Sequence, residues 1–143
     1  MEILKRLKVL WESRIKEIKR NPSAHEKELT AFGWWFVSEK FDMDWAIAQL
    51  AESLRLVPKT EPDHIVLEHI GKIVETHPEE SVECLRRVIE GDRAGWTIYV
   101  SRDRIRKTLE VALRLPSASK KAEKIVNVLY SRGFPEFRDL LKR

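Results

Sequence analysis

The sequence predicts an all-α protein, a single array of about four helical hairpins spanning residues 1–143. Three observations lead there. Apolar residues recur with a period near 3.6 in almost every segment, the spacing that lines one face of a helix. Helix-breaking residues stand between those periodic stretches, Gly33 and Gly71 excepted. Segments of roughly 35–40 residues follow one another as residues 2–41, 42–76, 78–115 and 117–143, a spacing used by helical repeats.

The first helix covers residues 2–20. Ile3, Leu4, Leu7, Leu10, Trp11, Ile15 and Ile18 form its apolar stripe, with lysines and arginines between. Such a stripe covers the end of a core; a basic helix of this kind also suits a partner or a membrane surface. Asn21-Pro22 ends it. Ser23, with Glu26 three residues on, reads as a capping box opening a second helix. Phe32-Gly33-Trp34-Trp35-Phe36 and then Phe41 put aromatic rings around most of that helix. The alternatives are a central helix packed on both sides or a binding patch. Gly33 lets a neighbouring helix approach closely. Asp42 begins a third helix through Leu56, with Trp45, Ile47, Leu50, Ala51 and Leu54 inward, and Pro58 stops it. Thr60-Glu61-Pro62-Asp63 starts a fourth, carried to Thr76 by Ile65, Val66, Ile70, Ile73 and Val74.

Residues 77–115 form the central helix–loop–helix unit. Pro78 suits the first helical position and Glu79 and Glu80 suit the positive end of the dipole. Val82, Leu85, Val88 and Ile89 face inward, and Gly91 is expected to close the helix in the left-handed conformation. Trp96-Thr97-Ile98-Tyr99-Val100 has the composition of a strand but nothing to pair with. It reads as a loop or first turn that tucks Trp96 and Tyr99 into the core. Ser101 is placed to cap a sixth helix with Ile105, Leu109, Ala112 and Leu113 inward. Ser117 begins a seventh, with Ala122, Ile125, Val126, Leu129 and Tyr130 inward; Gly133 caps it. Pro135 starts a short last helix with Phe137, Leu140 and Leu141.

Of the residues, 43% are hydrophobic, as in ordinary globular chains, whereas the 35% that are charged exceed the usual quarter. That excess suits an elongated helical protein with much surface. No apolar run reaches the length of a membrane span and the first residues are charged, so a cytoplasmic location is expected. The single cysteine, Cys84, allows no internal disulfide. The net charge of +4 is unevenly spread. Residues 1–20 carry seven basic and three acidic side chains, residues 21–92 seven and fifteen, and residues 93–143 thirteen and five. Such polarity steers binding to an acidic surface, or reflects complementary neighbours within one fold or between copies.

Chemistry-bearing motifs are few. There is no glycine-rich phosphate loop, and no two of His25, His64, His69 and His77 stand four apart on a helix. His64 and Glu68 do, which allows weak chelation or a simple surface contact. Cys84 beside Glu83, with His77 or His69, would be the only nucleophile and base to consider, but it lies in the middle of an apolar helix face where cysteine packs as a small hydrophobe. No cofactor, metal or catalytic residue is expected. In the sixth helix Asp103–Lys107 and Glu110–Arg114 have the spacing of surface ion pairs. That leaves Arg93, Arg102, Arg104, Arg106, Lys120, Lys121 and Lys124 unpaired, with Arg132, Arg138, Lys142 and Arg143 beyond.

The Gly91–Trp96 run GDRAGW carries a resemblance, with His77-Pro78-Glu79-Glu80 and Val82-Glu83-Cys84-Leu85 before it and Glu136-Phe137-Arg138-Asp139-Leu140-Leu141 at the close. Over residues 32–141 the chain resembles the HEAT-like helical regions towards the carboxy end of large bacterial multidomain proteins, often ones with NTPase-type modules. The resemblance implies a HEAT- or armadillo-like right-handed α-α superhelix, and a fragment or stand-alone relative of a regulatory scaffold. It supplies no catalytic residues, and residues 1–20 lie outside it.

The expected function is therefore a non-catalytic scaffold that binds a protein partner or a neighbouring domain. Its candidate contact residues are Asp92 and Arg93 in the hairpin loop and Trp34 and Trp35 on the second helix. For Asp92 and Arg93 the competing account is that Gly91 and Gly95 shape the turn and Trp96 anchors it. The alternative function is nucleic-acid binding through Arg102, Arg104, Arg106, Lys120, Lys121 and Lys124, since a phosphate track needs such a row of cations. Repeat arrays must close their ends, and homodimerisation over the aromatic-rich early segment is one way to do so.

Overall fold

The computed structural model describes residues 2–23 and 25–142, and among them every regular element is a helix. Arg143, counted above with the basic residues, lies outside that range. The elements are α1 (Glu2–Arg20), α2 (Glu26–Ala31), α3 (Gly33–Val37), α4 (Met43–Leu56), α5 (Asp63–Ile73), α6 (Pro78–Gly91), α7 (Trp96–Val100), α8 (Arg102–Leu113), α9 (Ser119–Ser131) and a 3-10 helix (Pro135–Lys142). They form two rows. In one, α1 packs on α4, α4 on α6 and α6 on α9; in the other, α3 packs on α5, α5 on α8 and α8 on the 3-10 helix. Contacts of α3 with α4, α5 with α6, and α8 with α9 join the rows. One continuous apolar core runs between them from Trp11 to Leu140.

The stripe of α1 is buried only from Trp11 onward, with Ile15 and Ile18; Ile3 is exposed. The Trp11 indole N–H donates to Ser53 Oγ at 2.8 Å, so the polar edge of the ring is satisfied inside the core. Lys19 of α1 reaches Glu52 of α4 at 3.1 Å. The hydrogen bond from Arg55, helped by Lys19, holds the Glu52 carboxyl at about 2, below its ordinary range.

The expected capping box at Ser23 does not form. Ser23 Oγ donates to Asn21 Oδ1 instead, and His25 precedes α2 in the left-handed conformation, its ring held between Glu17 and Glu28. Nor is the second helix one element through residue 41. It breaks into α2 and α3 at Phe32, where the loop before α5 presses against it: the Thr30 carbonyl accepts from the Glu61 N–H at 3.0 Å. Gly33 is what permits that crossing, because a Cβ there would lie 2.2 Å from Thr60 Oγ1 and 2.4 Å from the Glu61 carbonyl oxygen. The close approach at Gly33 is made by this loop and not by the neighbouring helix expected there.

α4 begins as expected, with the Asp42 carboxylate accepting from the Trp45 N–H at 3.2 Å. α5 ends at Ile73, short of Thr76, whose hydroxyl donates to the Ile73 carbonyl. Ile65 is exposed. α6 starts on Pro78. Gly91 does not adopt the left-handed conformation. It is the last residue of α6, and its missing Cβ makes room for Pro58, whose carbonyl oxygen would stand 2.0 Å from one. The left-handed residue is Gly95, at φ 83°.

Residues 96–100 form the one-turn helix α7, and the expectation for its rings is overturned: Trp96 is 71% exposed and Tyr99 55%. Ile98 alone of the five is buried. Ser101 makes no capping bond; it is buried and its hydroxyl has no partner. α9 begins at Ser119 after Ala118, two residues later than Ser117. Its end is as anticipated. Gly133, at φ 94°, donates to the Tyr130 carbonyl and Phe134 donates to the Leu129 carbonyl, the two bonds of a Schellman ending. Tyr130, expected inward, is 49% exposed under the Arg138 guanidinium.

Candidate interaction surface

α7 is too short to hold itself in place, since a single turn is far below the length at which an isolated helix is stable. Its neighbours fix it. The Asp92 carboxylate accepts from the Ile98 N–H at 2.8 Å, satisfying a donor at the start of the turn. The Gly95 N–H donates to the Asp92 carbonyl at 3.1 Å. Arg132, just after α9, donates to the carbonyls of Ile89 and Asp92, clamping the end of α6 and the loop together. On the α5 side, the Thr97 hydroxyl donates to Asp63 Oδ2 at 2.7 Å, and the His64 N–H donates to Asp63 Oδ1 at the same distance. The Phe134 ring lies close to Gly95, where a Cβ would stand 3.3 Å from it. The turn is thus tied to α5, α6 and the segment after α9.

With Ile98 inward, helical geometry sends residues 96, 99 and 100 outward together, one position and its i+3 and i+4 neighbours. Trp96, Tyr99 and Val100, the last 65% exposed, form a solvent-facing apolar ridge. A cavity of about 150 Å3 lies along it, lined by Asp63, Trp96, Thr97, Val100 and Ser101. A larger cleft of about 340 Å3 shares Asp63 and Thr97 and extends past Pro58, Thr60 and Asp92. Arg93 is exposed in the loop. Arg102 lies 4.6 Å from the centre of the Tyr99 ring and donates to the Tyr99 carbonyl at 3.1 Å.

The residues singled out in the sequence fall into different situations. Asp92 is a fixed part of the loop, and Arg93 beside it is exposed. Trp34 is 55% exposed, whereas Trp35 is half-buried against Phe32, Phe41 and Trp11. The basic set is divided. Arg104 pairs with Glu68 at 3.4 Å; Arg106 pairs with Asp139 at 3.0 Å, donates to the Glu136 carbonyl and lies over the Phe137 ring. Those pairings replace Asp103–Lys107 and Glu110–Arg114, neither of which closes among the described residues. Lys120, Lys121 and Lys124 are exposed on α9 with no ion pair among the described residues.

His64 and Glu68 do not meet: His64 faces Asp63, and Glu68 faces Arg104 and Lys72. His77 is held by Asp44 at 2.6 Å and His69 by Glu39 at 3.5 Å, so neither imidazole serves Cys84. Cys84 is fully buried, and burial pushes its thiol well above the ordinary range, which suits packing and not nucleophilic attack. Among the described residues no three His, Cys, Asp or Glu side chains converge as metal ligands, and no helix is long and apolar enough to cross a membrane.

Trp96 and Tyr99, expected in the core, are exposed together with Val100. One signal pointed the other way: five consecutive large residues on a single helical turn cannot all face one core. The chain matches no family model, and comparison with curated proteins and with solved structures gave no match.

Proposed function

We propose that this chain is a non-catalytic interaction module, a HEAT-like helical-repeat scaffold that binds a protein partner or a neighbouring domain in the cytoplasm. The α7 ridge carries the reading. Trp96, Tyr99 and Val100 stand in water on a turn held by side-chain hydrogen bonds to Asp92 and Asp63. Exposing such side chains together is unfavourable for an isolated soluble protein, and rigid aromatic anchors are what interfaces use. The two-row packing of successive helices supports the repeat reading. The buried, unreactive Cys84 supports the non-catalytic one. The test is purification of the tagged chain from the cells that make it, with nuclease treatment. A protein that co-purifies after nuclease, and is lost from the Trp96→Ala, Tyr99→Ala double variant, supports the proposal. Recovery of nucleic acid alone in a parallel purification without nuclease would overturn it.

A further inference from the structure

The geometry points to a specific kind of occupant for the α7 ridge: an acidic segment of a partner protein that carries an apolar anchor. This rests on the reading of the chain as a protein-binding module and adds the surface and the chemistry it selects.

The argument begins with charge. The ridge is bracketed in sequence by Arg93 and Arg102, both exposed and both without a carboxylate partner among the described residues. Arg102 is not loose. Its guanidinium stacks on Tyr99 and donates to the Tyr99 carbonyl, which leaves further N–H donors for an incoming carboxylate. Two of the nearby carboxylates are engaged inside the fold, Asp92 with the Ile98 N–H and Asp63 with Thr97 and His64, and Asp103 lines the separate groove between α5 and α8 with Lys72, Arg104 and Lys107. An apolar anchor on Trp96 and Val100, with acidic groups meeting Arg93 and Arg102, satisfies both kinds of group at once.

Two other occupants fit less well. A polynucleotide needs a row of cations to follow its phosphates, and along α8 the row is broken after Arg102, because Glu68 and Asp139 hold the next two arginines, Arg104 and Arg106, leaving the exposed Lys120, Lys121 and Lys124 on another helix. A second copy docked ridge to ridge would set Arg93 and Arg102 against their own equivalents, which costs free energy where charges meet like charges.

The experiment is selection of a displayed random 16-residue peptide library on the full chain at physiological salt, with binding then measured by fluorescence anisotropy. Enriched peptides are expected to be net acidic with an aromatic or large aliphatic residue. They should bind the Trp96→Ala chain at least about tenfold more weakly. The Arg93→Glu, Arg102→Glu chain should prefer peptides in which the acidic residues are replaced by lysine. Circular dichroism of each variant checks that the fold is intact. Enrichment of peptides without acidic character, or of peptides indifferent to Trp96→Ala, overturns this inference and leaves a protein-binding module with its surface elsewhere. No enrichment at all, with a labelled single-stranded oligonucleotide binding instead, overturns both.

Discussion

Two parts of this molecule are rich in aromatic residues and use them in opposite ways. Around α3 and α4 the rings pack on each other: Trp11 stacks on Phe32 at 5.1 Å, Trp35 meets Phe32 at 4.5 Å, and Phe41 meets Trp45 at 5.4 Å. On α7 the Trp96 and Tyr99 rings face water. Residue type does not distinguish these fates. What does is the availability of a wall. The 19-residue helix α1 and the 14-residue helix α4 enclose the first set, whereas α7 is a single turn that buries only its inner face. Its outer side is left to water, apart from the Arg102 guanidinium that lies on the Tyr99 ring.

The comparison is tested most severely at Trp11. It is fully buried, stacked on Phe32, edge-on to Trp35 and Trp45, and bonded to Ser53. Trp11→Ala should therefore cost about 3–5 kcal/mol, the cavity cost of a core aromatic, with the Ser53 hydroxyl left without its donor. Urea unfolding followed by circular dichroism reads the loss. A cost near that of an exposed tryptophan would mean that the cluster around α3 and α4 is not the wall described.

Gly91→Ala ranks next. A methyl group at that position would stand 2.0 Å from the Pro58 carbonyl oxygen, so the end of α6 and the loop before α5 must separate. Overpacking of this kind costs about 1–3 kcal/mol. Gly133→Ala makes the useful contrast. It meets nothing within 4 Å and suffers only from its φ of 94°, so about 1–2 kcal/mol is expected without any loosening at Pro58. Thermal unfolding compares the two, and hydrogen exchange at Lys59 and Thr60 distinguishes them, rising only in Gly91→Ala.

A smaller effect distinguishes the regions by pH. His69 packs edge-on against Phe36 at 4.9 Å, with Nε2 buried and without a partner. Burial holds its imidazole below the ordinary 6.5; Glu39 opposes the shift and Lys72 adds to it. The unfolded chain therefore takes up a proton that the folded chain resists, and stability present above about pH 6.5 is lost as the pH falls below it. Melting temperatures from pH 7.5 to 5 should show this decline, and His69→Gln should flatten it. An equal slope in the variant would assign the decline to other groups.

Much of this fold was legible in the sequence because helix periodicity and breakers are local signals. α1, α4 and α6, the Asp42 cap and the Gly133 ending depend on residues within a turn or so of each other. The failures with the largest consequences share one cause: each depends on a segment distant in the chain. The second helix breaks because Glu61 takes the Thr30 carbonyl, and Gly91 serves Pro58 and not its own helix end. Arg104 and Arg106 leave the basic row because Glu68 and Asp139 reach them from other elements. At the candidate site, Arg93 and Arg102 could be read from charge alone. That some of residues 96–100 must face outward could be read as well, but not that Trp96 and Tyr99 are among them, since a loop with strand composition gives no indication of which neighbours will clamp it.

The smallest expected stability change belongs to that ridge, and its smallness is the point. Trp96 is 71% exposed, so Trp96→Ala removes little packing and should change unfolding free energy by no more than about 0.5 kcal/mol. The clamp beneath it should behave differently. Asp92→Ala frees the Ile98 N–H, so about 0.5–2 kcal/mol is expected there, the range for losing a helix-start acceptor. Chemical denaturation of the two variants side by side reads the difference. If Trp96→Ala cost as much as Asp92→Ala, the ring would be contributing to the fold, and the ridge would lose its standing as a surface kept for a partner. If Asp92→Ala cost nothing while Trp96→Ala also cost nothing, α7 would be held by Thr97 and Arg132 alone, and the rigidity of the ridge would have to be assigned to them.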